Sequence, residues 1–305
     1  MAENRHIAYS TMSLLDFQTR FPTERECYEY LARMRFADGF VCPHCSSAKA
    51  GSIQTRKLWQ CKKCRAQISL TAGTMFHGSR TPLRYWFWAI FLVAKDKRGH
   101  SALQLSKDLN IRHERAWLML HKIRSAMAQR DAKYQLYGTI EMDEAYFGAP
   151  DRESRGRGTR RVKAIVAVGV TEDDKPGFAK IKIAKRLDRR SVKAFAKSCI
   201  ASGSTVKTDG LTVYRVLPKL SLKHEEIVAS GKSKDELLHW VHVVISNAKA
   251  FITGTFHGLG EKHMQRYLDE FCYRFNRRYR EGELFDRLLA ACVNAPPIIY
   301  DELTG

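Results

Sequence analysis

The sequence predicts a multidomain α+β protein, on three observations. Two C-x2-C pairs stand near the N-terminus, Cys42-Pro-His-Cys45 and Cys61-Lys-Lys-Cys64. Apolar residues recur at helical spacing through residues 80–131. From about residue 136 the texture changes to short β-rich runs broken by one helical stretch. At 305 residues the chain is long enough for more than one domain. These observations divide it into an N-terminal helical segment (1–40), a metal-binding ribbon (41–72), a helix-turn-helix segment (80–131), a mixed β-sheet flanked by helices (136–293) and a tail (294–305).

In the first segment, Pro22–Arg35 reads as one amphipathic helix opened by Thr23, with Glu26 placed to complete a capping box, and it is expected to pack on the ribbon. In the ribbon, each cysteine pair presents two thiolates on one tight turn. Two such turns close a tetrahedron around Zn²⁺ with no open position, so Cys42, Cys45, Cys61 and Cys64 are expected to hold a structural ion that folds the module. The stretch Gly51–Gln60 between them reads as a hairpin. His44 is left out because four thiolates fill the shell. Cys27, Cys199, Cys272 and Cys292 have no pairing pattern and read as ordinary thiols.

Lysine and arginine outnumber aspartate and glutamate by 52 to 32, a net charge of +20 that points to a polyanionic partner, DNA first. No apolar run follows a basic start, and the most apolar stretch, Tyr85–Ala94, is about half the roughly 20 residues of a membrane span. The expectation is a cytoplasmic protein with no membrane partner, nucleoid-associated when DNA-bound. Its cysteines then stay reduced.

After Pro82, which suits a helix start, the aromatic run 83–95 reads as a buried helix. Leu103, Leu109 and Ile111, then Trp117, Leu118, Leu120 and Ile123, repeat at helical spacing across a short polar break. This helix-turn-helix pattern would lay its second helix in the major groove, with Arg112, His113, Arg115, His121, Lys122 and Arg124 as a basic outer face.

In the β-rich part, runs at 138–147, 162–170 and 178–184, a helix at 191–200 and a run at 204–208 follow the order of an RNase H-like fold. That order sets Asp143, on the first strand, beside Asp209 at the end of the fourth. Two carboxylates held side by side suit a pair of Mg²⁺ ions that stabilise both the attacking and the leaving oxygen at phosphorus. Asp143 would bridge the ions and Asp209 hold one. A third group, in Val244-Ile-Ser-Asn247-Ala-Lys249, would hold the other. Strand alternation is taken to put Glu141 and Glu144 on the opposite face, outside the ligand set. A glycine-loosened basic loop, Asp151–Lys163, carries Arg152, Arg155, Arg157, Arg160 and Arg161 and is expected to grip phosphates near the cut. The last helices add Arg274, Arg277 and Arg278 as further candidate DNA contacts, among aromatics that read as core.

The ribbon and helical segment, Glu141-Met-Asp-Glu-Ala-Tyr-Phe-Gly148, Lys207-Thr-Asp-Gly-Leu-Thr-Val-Tyr214, His242–Lys249 through Gly254-Thr-Phe-His-Gly258, and Tyr267–Arg278 together resemble bacterial insertion-sequence transposases with an N-terminal zinc ribbon and a DDE-type, retroviral-integrase-like core. The resemblance implies Mg²⁺-dependent DNA cleavage at element ends followed by strand transfer. It also implies that the third position is Asn247, in a form of the motif accompanied by a lysine, Lys249. Residues two apart on a helix point about 200° from each other, so Lys249 reads as a phosphate contact in the catalytic region and not as a metal-site residue. Glu261 and Glu270 are the alternative third carboxylates.

The function expected is a transposase acting on the terminal inverted repeats and on target DNA, at least dimeric when two ends are synapsed. The alternatives are a zinc-ribbon, helix-turn-helix DNA-binding regulator on an inactive core, and an RNase H-like nuclease.

Overall fold

A computed structural model describes residues 11–53, 56, 58–148, 161–227 and 238–304. The chain divides into two compact units. One runs up to Met127 and resumes at Tyr279; the other spans Ala128–Arg278. The sheet-bearing unit therefore ends at Arg278 and not at 293, and the last helices fold with the N-terminal unit.

In that first unit, α1 (Leu14–Arg20) begins at Ser13, whose hydroxyl accepts from the Asp16 N–H at 3.1 Å while Asp16 accepts from the Ser13 N–H at 2.9 Å. This is the reciprocal pair that satisfies two orphan donors at a helix start. Thr23 caps α2 (Glu24–Arg35), as expected, through the Arg25 N–H. Glu26 takes the Thr23 hydroxyl instead of its backbone N–H, so the expected box is only half made. At the other end of α2, Arg35 donates to the carbonyls of Ser69, Leu70 and Ala72, and Phe36 meets Trp59 at 5.0 Å. The helix thus packs on the ribbon, which is a three-stranded antiparallel sheet of β1 (Ala50–Ile53), β2 (Leu58–Cys61) and β3 (Gln67–Ser69).

The aromatic helix α3 (Leu83–Lys95) has no capping side chain of its own; Glu24 of α2 accepts from the N–H groups of Leu83 and Arg84, both at 2.8 Å. Phe17, Phe21, Phe87 and Phe91 pack around Phe285, which comes from α9 (Leu284–Asn294). The tail is folded as well: α10 (Tyr300–Thr304) buries Leu303. Next in the unit, α4 (Ala102–Leu109) ends at Asn110, whose φ of 48° turns the chain into α5 (His113–Asp131) after three residues. Asparagine tolerates that left-handed conformation. The buried stripe of α4 runs through Leu105, not Leu103, which is 58% exposed.

The second unit holds a five-stranded sheet in the order β6-β5-β4-β7-β8. Its strands are β4 (Thr139–Phe147), β5 (Val162–Val170), β6 (Pro176–Ile183), β7 (Thr205–Asp209) and β8 (Lys223–Ile227). The first three form an antiparallel meander, and β7 and β8 run parallel to β4. The crossover from β6 to β7 is α6 (Arg189–Cys199), capped by Asp188. A 3-10 helix, Thr212–Leu220, leads into β8. This fifth strand is absent from the sequence reading, because Lys223-His-Glu-Glu-Ile lies on the sheet edge, mostly exposed, and has no apolar alternation.

Alternation along β4 divides the unit's core. Ile140 and Met142 join α6 and the 3-10 helix, whereas Ala145 and Phe147 join α7 (His239–Thr255) and α8 (Glu261–Phe275) on the other face. At the other sheet edge, Gln265 bonds Ile183 N–H and Ile181 C=O, and Asn276 bonds the N–H and C=O of Ala179. Side-chain amides thus complete the open edge of β6. Cys27, Cys199, Cys272 and Cys292 are all buried.

Candidate metal centres and nucleic-acid contacts

The two cysteine turns have one backbone design. In the first, the Ser46 N–H donates to Cys42 C=O and the Cys42 N–H to Ser47 C=O; in the second, Arg65 donates to Cys61 and Cys61 to Ala66. Ser46 and Arg65 take the same left-handed φ, 56° and 61°. One sulfur of each of the four cysteines lies within 4.8 Å of the others, with Cys42–Cys64 at 3.6 Å and Cys45–Cys61 at 3.5 Å. Zn–S bonds of about 2.3 Å require tetrahedron edges of about 3.8 Å, so the cluster fits zinc.

The second cluster lies where the parallel ladder of β4 and β7 stops. Paired positions end at Glu141 and Lys207, and Asp143 and Asp209 each stand two residues further along. The strands separate there at the carboxyl end of the sheet, the usual crevice of an open α/β sheet. A carboxylate oxygen from each of Asp143, Glu144 and Asp209 lies within 4.8 Å of the other two.

Glu144 is the unexpected member. Its side chain leaves β4 on the α6 face, where the hydroxyl of Tyr214 donates to Oε2 at 3.0 Å. Tyr214 is buried, and burial, with the charges of Glu144 and Asp143 behind it, raises its hydroxyl well above the usual range. It stays a donor. Asp143 Oδ1 accepts from the Glu144 N–H at 2.8 Å, and Asp209 Oδ1 from Leu211 N–H at 3.3 Å.

Glu141 corrects the sequence reading in another way. It is two residues from Asp143 and shares its face, as a period of two requires. It is buried and accepts from the Val241 N–H at 2.8 Å, capping a helix whose own N-cap residue, Leu238, makes no side-chain bond. Burial raises its pKa, and the N–H groups of Val241 and Trp240 oppose that rise.

The start of α7 is thereby fixed to β4, and His242 Nε2 comes 3.7 Å from Asp143 Oδ2. α7 runs unbroken through residues 239–255. At about 100° per residue, Lys249 lies roughly 20° from His242 around the helix and Asn247 roughly 140°. The expected third ligand, Asn247, is exposed and stands on a different side of α7 from His242, whereas Lys249 shares the His242 side. Burial lowers the Lys249 pKa and the Arg161 charge lowers it further, while the Asp143 charge raises it. Of the alternatives, Glu261 is exposed at the start of α8 and Glu270 is buried within it; neither joins the carboxylate cluster.

Several expected DNA contacts are structural. Arg112, His113 and Arg115 are exposed at the start of α5, but His121, Lys122 and Arg124 are buried, and Arg124 donates to His100 C=O at 3.3 Å. Arg277 is buried on Asp131, at 2.7 Å, and lies over the Tyr273 ring at 3.6 Å. Arg274 is buried too. Arg278 donates to the carbonyls of Pro176, Gly177 and Phe275. Arg274 lies on a helix of which most residues face the core, and Arg277 and Arg278 lie in the turns directly after it. Arg161 donates to Tyr146 C=O at 3.2 Å; Arg152, Arg155, Arg157 and Arg160 lie outside the described residues.

Comparison with known proteins gives two family matches. Residues 135–276 match the ISXO2-like transposase domain, and residues 22–67 match the transposase zinc-ribbon domain. A protein of Halobacterium salinarum, described as an uncharacterized protein in transposable element ISH50, is 27% identical over 228 residues, which cover 69% of this chain and 76% of that one. Among solved structures, a chain of the simian T-cell lymphotropic virus intasome in complex with PP2A regulatory subunit B56 gamma is 12% identical, with a TM-score of 0.30. The match covers 44% of this chain and 48% of that one, too weak a likeness to establish a shared fold.

Proposed function

Because the chain belongs to the insertion-sequence transposases, we propose that it cuts a phosphodiester at an element end and joins the freed 3′-hydroxyl to target DNA, with Asp143, Glu144 and Asp209 as its catalytic centre. The observation that carries this reading is the convergence of three carboxylates within 4.8 Å, where two parallel strands separate. Hard carboxylate oxygens suit Mg²⁺, which when bound supplies Lewis-acid stabilisation of the attacking and leaving oxygens of an in-line displacement.

The chain's own groups set up that chemistry. Tyr214 holds Glu144 toward the cluster, and His242 sets the direction of the Asp143 carboxylate from α7. Glu141 keeps α7 in register with β4, so that His242 stays opposite Asp143. Lys249, on the same side of α7, offers its ammonium to a phosphate that three carboxylates would otherwise repel. In the first unit, the exposed start of α5, with Arg112, His113 and Arg115, is the part of a helix-turn-helix that meets base edges in the major groove. The zinc site, closed by four thiolates, folds the ribbon and takes no part in the chemistry.

A nicking and strand-transfer assay on a labelled element end tests this. Wild type should cut and join in Mg²⁺, and Asp143→Ala and Asp209→Ala should bind the end and do neither. Binding without cutting by the wild type would leave a DNA-binding regulator; cut ends never joined would leave a nuclease.

A further inference from the structure

Residues 185–197, Lys-Arg-Leu-Asp-Arg-Arg-Ser-Val-Lys-Ala-Phe-Ala-Lys, hold six basic side chains and one acid. All six, Lys185, Arg186, Arg189, Arg190, Lys193 and Lys197, are exposed, and among the described residues none is in an ion pair within 4.0 Å. The single acid, Asp188, is committed to capping α6 through the Ser191 N–H at 2.8 Å. The opposite side of α6, Val192, Phe195, Ala196 and Cys199, is buried in the core beneath the sheet. The helix is thus anchored by one face, and the charged side chains on the other are all cations.

Its position ties this face to the catalytic end of the unit. Asp143 pairs with Val166 and Val166 with Ile181; two residues beyond, Ala145, Ala164 and Ile183 form the next row but one. β6 ends at Ile183, so the basic segment begins at the end of the sheet that carries Asp143 and Asp209, and α6 then runs back along the sheet. At about 1.5 Å per residue, Arg189 and Lys197 stand roughly 12 Å apart along the axis, with Lys193 midway. That span is close to the width of a DNA major groove, and the interval between successive cations is a single helical turn. With Arg274 and Arg277 buried, six of this unit's exposed cations are gathered in residues 185–197.

We infer that the outer face of α6 is a sequence-independent binding track for double-stranded DNA, which carries a duplex by its phosphates to the carboxylate end of the sheet. The inference rests on the reading of the chain as a DNA-processing enzyme but is tested by binding alone. Full-length protein made inactive by Asp143→Asn is titrated with a duplex lacking any element end, across a series of salt concentrations. The same titration is run with Arg189, Arg190, Lys193 and Lys197 changed to alanine in that background.

Losing four phosphate contacts should make the slope of log affinity against log salt less negative by about 3–4. Compared at one high salt concentration, where phosphate contacts count least, the alanine protein should bind a specific end nearly as tightly as its parent. A third protein, with Arg189→Lys and Arg190→Lys, keeps the charge and should keep the slope. An unchanged slope in the alanine protein overturns the inference, and so does a slope lost equally in the lysine protein. If the wild type proves unable to cut DNA, the catalytic reading fails while the slope result stands by itself.

Discussion

Asp143 and Asp209 are the residues whose role is most local: each ends a short β run and is placed by its own strand. Their neighbours show what strand ends cannot tell. Glu144 leaves β4 on the other face, yet its carboxylate comes within 4.8 Å of both aspartates, because β7 no longer pairs with β4 there and Tyr214 holds it. Tyr214→Phe removes only that hydroxyl, and by analogy with other partners of metal ligands it should cost about 10–100-fold in metal affinity or activity. Titrating the cleavage rate with Mg²⁺ measures this, and an unaltered midpoint and rate would show Glu144 to be idle. His242→Ala should impair cleavage, whereas Asn247→Ala, at a position roughly 140° around α7 from His242, should leave it within about twofold. The reverse ranking in a single-turnover assay would return Asn247 to the centre.

At the scale of elements, the rotation of α7 decides which of its polar residues reach the site. That rotation depends on Glu141 accepting from Val241, a bond between residues 100 positions apart, and periodicity within α7 alone cannot supply it. This is why the lysine of the motif was legible as a residue but not as a direction, and why His242, although part of the motif, was given no role. The meander, the crossover helix and the cysteine turns were legible because each is set by its own residues. β8 was not, since an edge strand needs no apolar alternation. Arg277→Ala, which would strand Asp131 in the core, should cost about 3–5 kcal/mol. Urea unfolding reads that loss, and a DNA-binding salt slope equal to wild type would separate it from a phosphate contact. Chelation should free Cys42, Cys45, Cys61 and Cys64 for alkylation, while Cys27, whose thiol burial pushes up to about 12, and the buried Cys199, Cys272 and Cys292 stay protected. Mass spectrometry counts the adducts; modification of Cys27 at the ribbon's rate would contradict this.

For the whole molecule, the net charge of +20 was a sound guide to a polyanionic partner and a poor guide to which arginines meet it. Composition counts a buried guanidinium and an exposed one alike. Binding of the intact protein to DNA should fall by about 10³–10⁵ between 50 and 200 mM salt if six to ten phosphates are engaged. Substituting alanine for both Arg112 and Arg115 should reduce the salt slope by about 1 for each residue that contacts a phosphate, read by the same titration. A fall in affinity of less than tenfold over that range would mean that few of the exposed cations touch DNA.

The path of the chain has a consequence in time. The first unit is left at Met127 and completed only from Tyr279 onward, and what returns is not ornament: Phe285 sits among Phe17, Phe21, Phe87 and Phe91, Asp286 accepts from the Tyr30 hydroxyl at 2.6 Å, and Cys292 C=O from the Met75 N–H at 3.2 Å. A ribosome releases the entire sheet-bearing unit before it supplies these residues. The later-made unit can therefore fold first, and the ribbon-bearing unit must wait for the residues from Tyr279 onward, so that a chain cut short before Phe285 lacks the centre of its own aromatic core.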